Sequence, residues 1–264
     1  MTEVSENAAV ALVRRIGRAC LSTVRQMGRM VVFLVRALFC LVTPPLKVRR
    51  VLGRIQFIGF KSLVVICLAG AFTGMVLGFQ GYHTLTRFGS TAFLGPMVGL
   101  SLLKELGPVL TALMVTGRAG SAIAAEIGIM RIDEEIDALE LMGLSPFRYV
   151  VAPALLAGVI CLPLLTALFN CLGIFGGYLV GVRLLGVGAG TYFGEMADYV
   201  RMSDILEGMY KSLSFGGFMA WICCYKGYYA GFGAEGVSKV TTQAVVLSSV
   251  VILMWDYFMT AVFF

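Results

Sequence analysis

Long, predominantly apolar stretches recur along the chain and are separated by short charged segments. They extend from Ser62 to about Tyr82, from Thr91 to Thr116, from Tyr149 to Val182, around Leu213–Tyr225, and from Val240 to Phe264. A helix needs about 20 predominantly apolar residues to cross a bilayer. The pattern therefore predicts an all-α integral membrane protein with five transmembrane helices.

The third stretch is longer than a perpendicular crossing needs. Residues 149–182 contain no charged side chain, and Pro153 and Pro163 lie within them. A stretch of this length is accommodated by tilt, by a kink or by a short re-entrant end. We therefore expect an irregular third helix.

The N-terminal segment has a different pattern. Between residues 8 and 29 arginines recur on one side of a helix and apolar residues on another, which is typical of a helix in the membrane interface. The following run, 30–42, is too short to cross a bilayer and stops at Thr43-Pro44-Pro45. We read it as a partly inserted elbow. Residues 1–61 then form an interfacial segment, and residues 62–264 form the transmembrane domain.

Charge is scarce and unevenly distributed. Hydrophobic residues make up 59% of the chain and charged residues 14%, whereas soluble domains carry about 25%. Eleven of the 21 Lys and Arg residues precede Ser62. Such a basic segment could bind nucleic acid or lie at the cytoplasmic face of a membrane. The rest of the chain is predominantly apolar, which favours the membrane, so we do not expect nucleic acid as a partner. The positive-inside rule places the N-terminus in the cytoplasm, and five crossings place the C-terminus outside.

Three glycines lie along one face of the first predicted span. Gly70, Gly74 and Gly78 are spaced four residues apart, which permits close approach of another helix. The approaching helix could belong to a second copy or border a substrate path. It could equally be another helix of the same chain.

Three ionisable residues lie within predicted spans. Lys104 and Glu105 interrupt the second span, and Asp256 lies in the fifth. Charges inside a membrane are costly and face a cavity, water or an opposite charge. Lys104 and Glu105 point about 100° apart on a helix, so they cannot both face the same neighbour squarely. They line a substrate path, or they form structural ion pairs with Asp256 or with a partner subunit.

The segment between the second and third spans is acidic and amphipathic. Residues 118–146 contain six acidic residues, and apolar residues recur there three or four apart. This predicts a helix over about 124–142 that is suited to a groove on another protein, although a solvated connecting helix has the same pattern. The candidate docking residues are Glu126, Ile129, Ile132, Asp133, Glu134, Glu135, Ile136, Leu139, Glu140 and Met142.

Motifs for catalysis and for metal binding are not found in the sequence. The nearest string to a phosphate-binding loop, Gly59-Phe60-Lys61-Ser62, lacks the first glycine and the glycine before the lysine. His83 is the single histidine, and none of the seven cysteines forms a Cys-x-x-Cys pair. We therefore expect no catalytic residue, no metal and no cofactor in this chain.

Several strings resemble the Mla-type permeases, the MlaE/YrbE family named for maintenance of lipid asymmetry. They are GMVLGFQGY at 74–82, SLLKELGPVLTALMVTGRAGSAIAAEIGIMRIDEEIDALELMGLSP at 101–146 and LPLLTALFNCLGIFGGYLVGV at 162–182. The region of Thr241, Thr242 and Asp256 is also similar. The resemblance covers nearly all of the chain after residue 50.

The resemblance implies a permease subunit of an ABC transporter in the bacterial inner membrane that moves phospholipid. It implies a homodimer with a lipid pocket at the interface, and Lys104 and Glu105 match the charged pair that lines this pocket. A cytoplasmic ABC ATPase, which carries ATP and Mg²⁺, would dock on the helix at about 124–142. A periplasmic ring of MCE-domain proteins and a STAS-domain protein are further expected partners. The alternatives are a secondary transporter, which usually shows a repeated half, and a scaffold that recruits a soluble partner.

Overall fold

The computed structural model describes the backbone of residues 2–42, 48–231 and 233–263, and side chains from Gly17 onward except those of 19, 20, 23, 42 and 263. These residues are overwhelmingly helical and contain no strand. The α-helices are α1 Thr2–Val42, α2 Val48–Ile58, α3 Leu63–Arg87, α4 Leu94–Ser101, α5 Gly107–Val115, α6 Ser121–Ile132, α7 Glu135–Leu141, α8 Ala152–Tyr178, α9 Ala189–Tyr199, α10 Met202–Tyr228 and α11 Gly233–Phe263.

Short 3₁₀ and π segments join several of these helices without a loop. The 3₁₀ segments are Phe60–Ser62 and Thr91–Phe93, and the π segments are Leu102–Leu106, Thr116–Gly120, Phe147–Val151 and Leu179–Leu184. As a result, four continuous helical stretches are long and apolar enough to cross a membrane within the described residues: Val48–Arg87, Thr91–Ile132, Phe147–Leu184 and Gly233–Val262. The third of these has the irregular ends expected for a stretch that is too long for a straight crossing.

Residues 30–42, the predicted elbow, continue the N-terminal helix, and their partial insertion in the membrane remains a prediction. α1 continues for 41 residues through the predicted elbow at 30–42, without a break at its start. The predicted stop at Thr43-Pro44-Pro45 lies outside the described residues. The boundary predicted between residues 61 and 62 falls inside the stretch Val48–Arg87, so no change of architecture marks it.

α10 differs from the four apolar stretches because it is polar near its start and deeply buried. It packs against α8, α6 and α11, and Phe215, Met219 and Cys223 along it are buried. The sequence pattern placed this span around Leu213–Tyr225, with Glu207 and Lys211 before it. In the structure both residues lie inside the helix. A helix surrounded by protein need not be apolar on all sides.

The predicted acidic helix over 124–142 is two helices, which corrects its extent. α6 is the continuous end of the second helical stretch, and α7 begins after a turn at Asp133-Glu134. Glu134 has φ 57°, in the left-handed region, which ends the first helix. The apolar spacing from Ile132 to Ile136 spans this two-residue turn as if the helix continued, so periodicity alone could not reveal the break.

α9 lies between the third and fourth apolar stretches, in a segment for which the sequence pattern predicts no transmembrane helix. Tyr192 anchors it: this side chain is fully buried, and its hydroxyl donates to the Ile174 carbonyl at 3.2 Å. Gly95 and Gly177 leave room for Tyr192, since a Cβ at Gly95 would lie 2.0 Å from the Tyr192 carbonyl oxygen. α9 thus covers the ends of α4 and α8.

Candidate functional site: a buried charged cluster

Lys211 is fully buried and lies at the centre of a group of charges. Its Nζ donates to Thr260 Oγ1 at 2.8 Å and to the Lys104 carbonyl at 3.0 Å. It also lies 3.1 Å from Glu105 Oε1 and 3.3 Å from Asp256 Oδ1. The ammonium therefore joins α10 to α11 and to the π segment Leu102–Leu106.

A second lysine extends this group along α10. Lys104 Nζ lies 3.3 Å from Asp204 Oδ1 and 3.2 Å from Glu207 Oε2, and the other Glu207 oxygen lies 3.7 Å from Lys211 Nζ. Glu207 thus bridges the two lysines. We call the following residues the charged cluster: Lys104, Glu105, Asp204, Glu207, Lys211, Asp256 and Thr260.

The backbone carbonyl of Lys104 explains why the Lys211 side chain is held at this position. Pro108 has no N–H, so it cannot donate to the Lys104 carbonyl in the α-helical pattern. Lys211 donates to that carbonyl instead. Gly208 lets α10 come close enough, since a Cβ at this position would lie 2.1 Å from the Leu103 carbonyl oxygen. Proline and glycine therefore position the cluster as much as its charged residues do.

The cluster is buried at one end and accessible at the other. Lys211 is 0% exposed and Glu207 7%, whereas the Lys104 side chain is 28% exposed and that of Glu105 41%. Four carboxylates face two ammonium groups, which leaves an excess of negative charge when all are ionised. Asp256 Oδ1 and Glu207 Oε1 lie at ion-pair distance from Lys211 but accept no hydrogen bond within the described residues. These two oxygens lie at the buried end, beside Lys211, whereas Lys104 and Glu105 form the accessible end.

Metal binding is not the chemistry that this arrangement favours. In the part of the chain that the structure describes, no three His, Cys, Asp or Glu side chains are grouped so as to hold a metal ion. Carboxylates in the cluster are held by ammonium groups rather than turned toward a common empty point.

Three of the predicted site residues, Lys104, Glu105 and Asp256, lie together in the charged cluster. Lys104 and Glu105 reach different partners, as their angular separation requires: Lys104 contacts carboxylates on α10, and Glu105 contacts Lys211 and accepts from Thr260 at 3.0 Å. Asp256 pairs with Lys211. Whether Lys104 and Glu105 line a substrate path remains a prediction.

The three predicted site glycines lie elsewhere, against α8 of the same chain. A Cβ at Gly70 would lie 2.7 Å from the Phe169 carbonyl oxygen, and one at Gly74 would lie 1.8 Å from that of Gly173. Gly78 faces α8 one turn further on, where an added Cβ would lie 3.0 Å from the Gly177 carbonyl oxygen. Packing within one chain thus fully occupies this glycine face.

The acidic segment divides into anchoring and exposed residues. Ile136 is buried at 1% exposure and fixes α7 to the core. Glu126 accepts from Arg54 Nη2 at 2.8 Å, which ties α6 to α2, and Glu140 accepts from the Tyr228 hydroxyl at 3.2 Å. Ile132 and Leu139 are half-buried. The predicted docking residues that are exposed are Ile129, Asp133, Glu134, Glu135, Glu140 and Met142.

The predicted apolar stripe of this segment therefore does not form one docking face. Its ends, Ile129 and Met142, are 51% and 65% exposed, whereas Ile136 in its middle faces the core. Leu141, which the stripe did not include, is 90% exposed. The turn before α7 and the end of α7 together form the exposed acidic and apolar surface.

Comparison with known proteins gives the family. The family described as Permease MlaE matches residues 51–262, which is most of the chain. The chain belongs to the MlaE permease family. This confirms the resemblance inferred from the sequence strings, and it makes the chain a multi-pass membrane permease.

Named relatives agree with this MlaE membership. The intermembrane phospholipid transport system permease protein MlaE of Haemophilus influenzae is 46% identical over 212 residues, 80% of this chain and 81% of that protein. A probable ABC transporter permease protein of Rickettsia bellii is 40% identical over 94% of this chain and 96% of its own length. The chloroplastic protein TRIGALACTOSYLDIACYLGLYCEROL 1 of Arabidopsis thaliana is 34% identical over 82% of this chain and 62% of its own length.

The MlaE match includes the whole charged cluster, four residues of which sequence reasoning missed. These residues are Asp204, Glu207, Lys211 and Thr260. A signal was present, because Glu207 and Lys211 are four residues apart directly before the uncharged run 212–225. Side chains at that spacing share a helix face. Extending the helix to Met202 would have placed both inside the membrane domain.

Proposed function

We propose that this chain is the permease subunit of an ATP-driven ABC transporter that moves phospholipid between the inner membrane and the periplasmic or outer-membrane side, and so maintains lipid asymmetry. The name of the Haemophilus relative and the family membership support the phospholipid substrate. The name of the Rickettsia relative supports the ABC class. ATP and Mg²⁺ are bound by a separate ATPase subunit, and the chain itself has no catalytic residue.

The charged cluster is the observation that carries this proposal. A buried ion-pair network is a weak source of stability, because removing charges from water costs several kcal/mol per ion. In a membrane domain such residues mark substrate paths. A phospholipid has a charged head and two apolar tails. The accessible end at Lys104 and Glu105 would contact the head, while apolar helices surround the tails.

Five crossings fit the structure once α10 is included. α10 has 27 residues, and its charges near the start form ion pairs within the charged cluster. Near its other end, Lys226 donates to Gln243 at 3.2 Å. With the basic N-terminal region in the cytoplasm, the C-terminus is periplasmic. The cluster then lies in the periplasmic half, near the start of α10 and the end of α11.

A homodimer with a lipid cavity at its interface is supported by the apolar faces that the single chain leaves exposed. On α3, Phe72 is 61% exposed, and on α11 Tyr257 and Phe258 are 72% and 55% exposed. Lipid or a second copy must cover surfaces of this kind. α11 also carries Asp256 and Thr260, so a copy packed against it would border the charged cluster. The MCE-domain ring would stand on this periplasmic side.

The ABC ATPase docks at the exposed turn between α6 and α7. Glu134 and Glu135 supply the charge, and Leu141 and Met142 supply an apolar contact. Ile136 positions α7 rather than touching the ATPase. The STAS-domain protein would bind the ATPase and not this chain.

Replacing Glu105 by glutamine tests the transport role of the cluster. The variant removes the charge at the accessible end but keeps an oxygen that can accept from Lys211 and Thr260, so the subunits should still assemble. We expect phospholipid transfer between reconstituted vesicles to fall by about tenfold or more, as for loss of a charged contact worth roughly 1.4 kcal/mol. Transfer of labelled phospholipid and ATPase activity should be measured on the same preparation.

Glu195→Gln is the matched control for Glu105→Gln. Glu195 lies on α9 and has no contact with the charged cluster among those described. Its variant should transfer lipid at the rate of the unmodified protein. Full transfer by Glu105→Gln would remove Glu105 from the mechanism, and loss of subunit assembly would make its role structural.

Charge reversal at the turn tests the docking surface. The double variant Glu134→Lys and Glu135→Lys should lose the ATPase during co-purification, because two charges that face the partner change sign. The permease should remain folded, since both side chains are exposed. Co-purification of the two subunits, followed by native mass spectrometry, measures the effect.

Asp198→Lys serves as the control for charge reversal, because Asp198 is exposed on α9 at the opposite, periplasmic side. This variant should retain the ATPase. If the double variant at the turn also retains it fully, the ATPase docks elsewhere on the chain.

A further inference from the structure

A basic pocket lies beside α1, apart from the charged cluster. Its volume is about 480 Å³, and three arginines of α1 line it: Arg25, Arg29 and Arg36. Opposite them lie Phe147, at the start of a π segment, and Tyr229, directly after α10. The pocket therefore lies where α1 meets the ends of two core elements, on the proposed cytoplasmic side.

Aromatic contacts fix the floor of this basic pocket. Phe33 is 2% exposed, and its ring lies 4.9 Å from Phe147 and 5.6 Å from Tyr225, centroid to centroid. One turn earlier along α1, Trp221 Nε1 donates to the Met30 carbonyl at 3.1 Å. α1 is thus held at a defined angle, and the three arginines have fixed neighbours.

The positive charge of the pocket is uncompensated within the described residues. No carboxylate among them forms an ion pair with Arg25, Arg29 or Arg36, and all three side chains are exposed. Arg25 and Arg29 are four residues apart, where like charges on a helix repel. An anion between them would remove this repulsion. Guanidinium groups bind phosphate through pairs of parallel hydrogen bonds, so phosphate is the anion that the pocket fits.

The surface next to the pocket indicates which phosphate compound binds. Val32, which lines the pocket, is 52% exposed, and Val35, one turn along α1, is 59% exposed. The aromatic floor is apolar as well. A free phosphate would leave these apolar walls in water, whereas the glycerol and upper acyl chains of a lipid would cover them. Basic pockets beside membrane helices on the cytoplasmic side are suited to anionic headgroups.

We infer that this pocket binds one anionic phospholipid of the cytoplasmic leaflet, with its phosphate held by Arg25, Arg29 and Arg36. The assignment of the pocket to the cytoplasmic leaflet rests on the membrane orientation given in the proposed function. The lipid bound here is distinct from the transported lipid. It holds α1 against the core, because its phosphate contacts α1 while its glycerol lies over Phe147 and Tyr229.

Binding of phosphatidylglycerol to the purified full-length chain, with whatever subunits co-purify, tests this inference. The double variant Arg29→Gln and Arg36→Gln should bind it about 25-fold more weakly, at about fivefold for each arginine. Thermal stabilisation in titrations with phosphatidylglycerol, phosphatidylcholine and inorganic phosphate gives the affinities. Arg49→Gln is the matched control, since Arg49 is an exposed arginine of α2 outside the pocket, and it should bind as the unmodified chain does.

Each outcome decides the question. Unchanged affinity in the double variant overturns the site, and equal stabilisation by inorganic phosphate overturns the lipid as its ligand. If the double variant does not fold, the single variants Arg25→Gln and Arg36→Gln decide, with about fivefold weakening supporting the site and no weakening overturning it. The titration does not depend on lipid transfer or ATPase activity, so a failure of the proposed function would appear separately in those assays.

Discussion

Replacing Lys211 by methionine should lower the free energy of unfolding by about 3–5 kcal/mol and abolish phospholipid transfer. The lysine is fully buried and faces Glu105, Glu207 and Asp256. Without it these carboxylates would lie together with no buried cation among them, which is far costlier than losing a surface pair. Unfolding of the full-length protein in lipid nanodiscs and transfer between vesicles measure the two effects.

Lys226→Met is the control for this prediction, because it makes the same change near the other end of α10. Lys226 is half-buried and donates to Gln243 alone among the described contacts, so its loss should cost about 1 kcal/mol or less. The double variant Lys211→Met and Asp256→Asn removes one charge of each sign and should recover part of the lost stability. A Lys211→Met protein as stable as the unmodified one would show that the carboxylates do not depend on this lysine.

Gly74→Ala should separate α3 from α8 and destabilise the fold by about 1–3 kcal/mol. The added Cβ would lie 1.8 Å from the Gly173 carbonyl oxygen, which is backbone and cannot turn aside. Alanine forms helices better than glycine by about 1 kcal/mol per residue. A net loss of stability in Gly74→Ala would therefore show that the packing clash outweighs the gain in helix propensity. Gly78→Ala, with 3.0 Å at the corresponding contact, should cost less.

The opposite sign is expected for the same substitution at Gly53. A Cβ there has no atom within 4 Å, and Gly53 lies inside α2. Gly53→Ala should therefore be neutral or stabilising by up to about 1 kcal/mol. If Gly74→Ala left the unfolding temperature unchanged or raised it, as is expected for Gly53→Ala, the contact between α3 and α8 would be looser than the structure shows.

Long, predominantly apolar stretches sufficed to predict an all-helical membrane protein. They also singled out Lys104, Glu105 and Asp256, because a charge is conspicuous in such a stretch. They could not identify the partner of each charge, since periodicity describes one helix at a time. Lys211 was overlooked for this reason: it becomes the centre of a site only when α10 packs between the π segment Leu102–Leu106 and α11.

The glycines and the acidic segment show two further limits of sequence patterns. The spacing of Gly70, Gly74 and Gly78 predicts a close neighbour but not which helix it is, and α8 of the same chain occupies that position. The turn at Glu134 leaves the apolar spacing on either side intact. The sequence pattern therefore does not show the break between α6 and α7, although this break decides which residues are exposed.

The second helical stretch, Thr91–Ile132, runs without a loop from the charged cluster to the acidic turn. From Glu105 to Ile132 it covers about 40 Å at 1.5 Å per residue. No loop interrupts this lever, the helical stretch from Glu105 to Ile132, so a partner that displaces Ile132 would also displace Glu105. Glu105 itself lies in the π segment Leu102–Leu106, and between that segment and Ile132 the π segment Thr116–Gly120 is the one place where the hydrogen-bond register departs from the α pattern. Torque applied at the acidic turn would therefore be expressed at the cluster as rotation set by that single short segment.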